Sequence, residues 1–152
     1  MKTDRTGMAM AIVTLLVVAT AGVLQMSDVW PAGIAGSSRS VVDSAPKVSP
    51  FTNVQFEQQQ IIVTYQERDY QWLELDGIKV QDIEAAAKWR FWELWQKRVS
   101  EDLVAVLWGM DHQPGDTVSL LLRDPETNEQ RLVEQAPMTR ENRSAVYQTW
   151  RS

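Results

Sequence analysis

Nineteen consecutive residues near the start of the chain, Met8–Met26 (MAMAIVTLLVVATAGVLQM), carry no charge and a single strongly polar group, Gln25. No other stretch constrains the chain as much, because a helix needs roughly 20 apolar residues to cross a bilayer core. Lys2 and Arg5 precede it, opposed only by Asp4. That bias predicts that residues 1–7 stay in the cytoplasm and that everything after Ser27 is exported. The same residues also fit a signal peptide, with a basic start, the apolar stretch Met8–Val18 and the small-x-small site Ala19-Thr20-Ala21, cut before Gly22. Val23, Leu24 and Met26 continue the apolar run past that site, as an uncleaved anchor would. The two readings share a compartment. One gives a single-pass protein of the cytoplasmic membrane with its C-terminal domain outside the cytoplasm, periplasmic or extracellular. The other gives a protein secreted after cleavage near Ala21.

The 126 residues that follow suit one modest domain and a connecting segment. They contain no Cys, so no disulfide can staple the fold and its core must hold it. Seven Trp in the whole chain supply the bulk for such a core, since one buried indole removes roughly 150–250 Å² of surface. Without Lys2, Arg5 and Asp4 the chain keeps 13 basic and 19 acidic residues, net −6. With no basic stripe visible, nucleic acid is not expected as a partner. An anionic membrane surface would repel this charge unless Arg and Lys gather on one face.

Residues 27–53 read as a flexible linker, because Pro31, Gly33, Gly36, Pro46 and Pro50 are scattered among Ser37, Ser38, Ser40, Ser44 and Ser49, with few large apolar groups. The alternative is a partly ordered arm with Trp30 or Phe51 docked on the domain, which is expected to span 54–152. Gln60–Gln66 and Tyr70–Leu75 have strand character, and Asp76-Gly77 is a tight-turn signal. Gln60–Val80 is therefore expected to be an antiparallel meander, with Tyr70 and Trp72 on one face and Gln71, Leu73 and Leu75 on the other.

From Gln81 to Met110 the period changes. Ile83, Ala87, Phe91, Leu94 and Trp95 follow the spacing of one helix face, continued by Val99, Leu103, Val106, Leu107 and Met110. Ser100 followed by Glu101 and Asp102 reads as an N-cap with acids in the first turn. This predicts two helices, about 81–98 and 101–110, or a single bent one. Thr117–Arg123 and Arg131–Gln135 form a second hairpin. Thr139 is placed to cap a last helix, Arg140–Trp150, with Val146, Tyr147 and Trp150 inward. The expected class is α+β: a small antiparallel sheet of two hairpins packed against a long or bent Trp-rich helical segment.

Two pieces resemble bacterial PDZ-like domains. Leu73-Glu74-Leu75-Asp76-Gly77-Ile78-Lys79-Val80 is similar to their strand–tight turn–strand segment, and Gly115-Asp116-Thr117-Val118-Ser119-Leu120-Leu121-Leu122-Arg123 to their later Gly-x-x-Val strand. The resemblance covers about 17 residues and implies a module that binds extended peptides by adding them to a sheet edge. The peptide-capturing glycine loop of that family is not recognisable before Gln60, and the helical stretch is much longer. No family binding residue carries over.

Trp89 and Trp92, three apart beside the predicted core stripe, are the candidate binding residues. They form either an exposed aromatic pair for a partner, a glycan or lipid headgroups, or the flank of a wide buried face. His112 is the only histidine and lies in a turn. It is expected to cap a helix end or meet solvent. No catalytic residue, metal site or cofactor site is marked: the acids are dispersed, and phosphate-binding or nucleophile motifs are missing from the sequence. The expected role is non-catalytic binding of a protein or peptide partner in the cell envelope, with the membrane contacted through residues 8–26. The alternative is a small hydrolytic or protease-accessory enzyme that uses His112.

Overall fold

The computed structural model describes residues 42–151. The expected anchor or signal peptide at 8–26 and residues 27–41 of the expected linker lie outside them. No helix among the described residues is long and apolar enough to cross a membrane.

Six antiparallel strands make one sheet: β1 (Asn53–Phe56), β2 (Ile61–Tyr65), β3 (Arg68–Leu75), β4 (Ile78–Lys79), β5 (Thr117–Arg123) and β6 (Gln130–Pro137). Their order is β1-β2-β3-β5-β6, with β4 paired to the end of β3. Between β4 and β5 runs a helical insertion. It comprises α1 (Val80–Phe91), a 3-10 turn (Trp92–Leu94), α2 (Trp95–Glu101) and α3 (Leu103–Trp108). Helix α4 (Arg140–Thr149) follows β6. The α+β class and the antiparallel sheet expected from the sequence are present.

Turn chemistry fixes the meander. Asp76 (φ +49°) and Gly77 (φ +77°) both take left-handed backbone, as a two-residue hairpin turn matched to the strand twist requires. Gln66 (φ +50°) and Glu67 (φ +64°) do the same between β2 and β3, without the glycine that usually relieves such a turn. In β3 the register against β5 slips between Trp72 and Glu74. This bulge reverses the alternation, so Tyr70, Trp72 and then Leu75 are buried. That corrects the simple alternation expected for this strand, which put Leu75 on the outer face.

One sheet face is covered. Val54, Val63, Tyr70, Trp72, Leu75, Leu120, Leu122, Val118 and Ala136 meet Ile83, Ala87, Val99, Leu103, Leu107 and Val146 in a single core. Trp72, fully buried, is the central indole; its Nε1–H donates to the Glu74 carbonyl at 3.1 Å, and Phe51 meets it edge-on at 5.1 Å. Residues 42–53 are therefore not a linker. Val42, Ala45, Ser49 and Phe51 are buried, and Ser49 forms a two-way backbone bridge with Thr139. The docked-arm alternative holds for Phe51.

The helical insertion breaks twice, where a single bend near residues 98–101 was expected. The first break is at Trp92, whose backbone is left-handed at φ +50°, ψ −123°. It swings Leu94, expected inward, to the surface. The second is at Asp102. Ser100 is no cap: it lies inside α2, and its Oγ–H donates back to the Gln96 carbonyl at 2.8 Å. At the end of α3, His112 N–H reaches the Leu107 carbonyl (3.0 Å) and Asp111 N–H the Trp108 carbonyl (3.2 Å), with Asp111 left-handed at φ +57°. These two bonds satisfy carbonyls that a helix end otherwise leaves open. Thr139 caps α4 as expected, its Oγ1 accepting from Asn142 N–H at 3.0 Å. Val146 points inward, Tyr147 is half-buried between the Arg143 and Arg151 guanidinium groups, and Trp150, expected inward, is exposed.

Candidate functional site

The first candidate is the apex at the α1–α2 break. Trp89 is 66% exposed, Trp92 79% and Leu94 53%. The buried-flank reading of the two tryptophans is therefore set aside. Trp92 combines high exposure with a backbone that bulky residues avoid, a conformation worth on the order of 1–3 kcal/mol of strain. The next indole, Trp95, is half-buried. It packs edge-on against Phe56 at 5.0 Å and under the Lys88 ammonium at 4.6 Å.

Behind the apex lies an ionic cluster whose Arg98–Asp102 pair follows from the residues' spacing, but whose burial no sequence signal announced. Glu101 and Asp102 are both buried. The Asp102 carboxylate accepts from Lys47 at 2.6 Å and from Arg98 one helical turn earlier. Arg143 of α4 donates to the Glu101 carbonyl at 3.0 Å and lies 3.7 Å from its carboxylate. Three cations thus surround two buried acids, which ties the arm, the α2–α3 bend and α4 together. Each acid meets at least one cation, so the cluster is a structural tie, although the buried Arg98 Nε has no partner. The Lys47 ammonium also donates to the Val42 carbonyl, which fixes where the chain comes onto the domain.

His112 is neither a cap by its side chain nor freely solvated. Its Nε2 lies 2.8 Å from Asp76 Oδ2, and the other oxygen, Oδ1, accepts from Ser119 N–H at 2.7 Å. An Asp–His pair can orient an imidazole for base catalysis, but that needs a nucleophile within hydrogen-bond reach. Here the Ser119 contact to the pair is made by its backbone amide. The arrangement ties the loop after α3 to the β3–β4 turn. Among the described residues no group of three or more metal-ligating side chains is gathered.

The second candidate surface is the uncovered sheet face. The pairs Leu121–Leu132 and Glu74–Leu121, with Leu73 in the bulge, put an aliphatic strip opposite the helices. Leu73 and Leu121 are half-buried and Leu132 is 61% exposed. Gln71, Arg123 and Gln130 continue the same row, with Arg123 bonded to Gln71 at 3.4 Å. Strand β6 has no partner on its outer side among the described residues, whereas β1 at the other edge is packed by α4, with Phe56 6.0 Å from Trp150. Glu129, Arg131 and Glu134 and the β6 bulge opposite Ser119 guard the open edge against indiscriminate pairing.

The chain matches no family model, no curated protein and no solved structure, so its functional reading rests on this geometry. The Trp pair was visible in the sequence as a spacing. The aliphatic strip was hidden, because its face assignment depends on the Leu73 bulge.

Proposed function

We propose that this protein is a non-catalytic binding module of the cell envelope, tethered to the membrane by residues 8–26 or released from it by cleavage. The described domain binds a protein or peptide partner on its uncovered sheet side. The observation that carries this reading is Leu132, a large aliphatic side chain 61% exposed beside Leu121 on a face that no described element covers. An aliphatic centre with a polar rim, here Gln71, Arg123 and Gln130, has the anatomy of a protein-binding patch. The PDZ-like resemblance of residues 73–80 and 115–123 points to the same class of ligand. The His112 enzyme reading draws support only from the Asp76 contact.

The test is recovery of crosslinked partners from envelope membranes with the full chain and with Leu132→Glu. The reading expects the variant to lose its partner while its stability stays within about 0.5 kcal/mol, as for an exposed substitution. Equal recovery from both would contradict it.

A further inference from the structure

We infer that the Trp89–Trp92–Leu94 apex is a membrane-contact site that seats the domain on the lipid surface into which its own N-terminal segment inserts. The inference rests on the tether in the reading above and goes beyond it, since it assigns the helical side of the domain to lipid and leaves the sheet side for the partner.

Three observations carry it. The apex presents two indoles and a leucine, each more than half exposed. Indoles favour the membrane–water boundary, where an apolar ring and a polar N–H are both accommodated.

The charge around the apex is the second. The whole chain is −5, yet residues 88–98 (KWRFWELWQKR) hold Lys88, Arg90, Lys97 and Arg98 against Glu93 alone. Lys88 pairs with Glu84 at 2.6 Å and Arg98 pairs with Asp102. Lys97 is exposed beside the aromatic groups and the Lys88 ammonium sits over the Trp95 ring at 4.6 Å, as in surface-seated helices whose basic residues meet lipid phosphates, while Arg90 packs inward against Gly109. The acid excess of the chain lies elsewhere.

The third is the attachment point. Lys47 holds Val42 against Asp102, at the end of the helical run that begins at the apex. Ten residues separate Asp102 from Trp92, about 15 Å at helical rise. The fifteen residues between Met26 and Val42 reach at most about 50 Å even when fully extended. The chain therefore comes onto the domain near the apex.

The chain has no Cys, so a single introduced thiol can be labelled cleanly. The full chain is reconstituted into vesicles of phosphatidylethanolamine with phosphatidylglycerol, carrying an environment-sensitive dye on Trp92→Cys, on Trp89→Cys or, as a reference, on Leu132→Cys. Flotation reports membrane attachment, and spin-labelled lipids report contact with lipid. The inference expects blue-shifted emission, quenched by the spin-labelled lipids, at positions 92 and 89 but not at 132. A chain that floats while all three dyes stay water-like overturns the apex site and leaves the tether standing. A blue shift without lipid quenching overturns it in favour of a protein contact, with a second copy included. A chain that does not float overturns both the apex site and the tether.

Discussion

His112 Nε2 and Asp76 Oδ2 stand 2.8 Å apart across 36 residues of sequence, joining the loop after α3 to the tight turn between β3 and β4. The same carboxylate accepts the Ser119 amide, so one side chain serves a turn, a strand and a loop. His112→Ala is accordingly expected to cost about 0.5–1.5 kcal/mol, the net worth of one hydrogen bond, rather than nothing. Asp76→Ala is expected to cost more, about 1–3 kcal/mol, because it strands a part-buried amide and puts alanine at a positive φ. Asp76→Asn keeps an acceptor and tolerates that backbone, so it should lie between wild type and Asp76→Ala. Urea midpoints at constant slope rank the three.

The sequence stripe ranks Trp95 as the core indole, but the core is built on Trp72. Trp72→Ala is expected to cost about 3–5 kcal/mol, as deletion of a fully buried large aromatic does. Trp95→Ala loses a half-buried ring, one edge-on contact and one cation–π contact, and is expected to cost about 1–3 kcal/mol. Chemical denaturation of both variants checks the order.

Local signals were legible where residue chemistry alone decides the structure. Asp76-Gly77, the β5 boundaries and the Thr139 cap all follow from their own residues. Three features did not. Gln66-Glu67 falls at the break expected between the two strands, but no Gly or Asn announces its two-residue turn. The Leu73 bulge reverses which face of β3 is inward, and nothing in the order of its side chains encodes that. The break at Trp92 interrupts a helical period that runs unbroken in the sequence from Ile83 to Met110, because docking α2 and α3 over the sheet decides the turn. The surfaces inherit the same limits. Trp89 and Trp92 could be picked out, but their exposure depended on that break.

The buried acid Asp102 makes the arm part of the domain. Asp102→Ala is expected to cost about 3–5 kcal/mol, the usual loss on breaking a buried pair, since Lys47, Arg98 and Arg143 all lose a partner. Lys47→Met is expected to cost less, because Arg98 and Arg143 still face the carboxylate. Amide hydrogen exchange adds a distinguishing readout: Lys47→Met should speed exchange at Ser49, whose N–H donates to Thr139, while the sheet stays protected.

Asp124 sets a clear pH response. Its carboxylate accepts the Thr127 and Glu126 amides of the β5–β6 loop, and Arg68 lies 3.1 Å away. These hold its pKa below the ordinary 3.8, the amide of Thr127 first and that of Glu126 next, with Arg68 adding a smaller pull. A carboxyl depressed on folding adds stability that is fully present above its unfolded pKa and is lost as pH falls through its folded one. The loop is therefore expected to loosen only in strong acid. An NMR titration should place the Asp124 midpoint below that of an unperturbed aspartate, and Asp124→Asn should remove this part of the acid sensitivity.

A photoreactive residue at position 132 of the full chain, activated in intact cells, tests the central claim most directly. Position 132 is compared with position 92 and with position 66 in the exposed β2–β3 turn. The account predicts a protein adduct from 132 and none above background from 92 or 66. Protein adducts from 92 with none from 132 would contradict it, since they would put the partner on the helical side and leave the sheet face without a role.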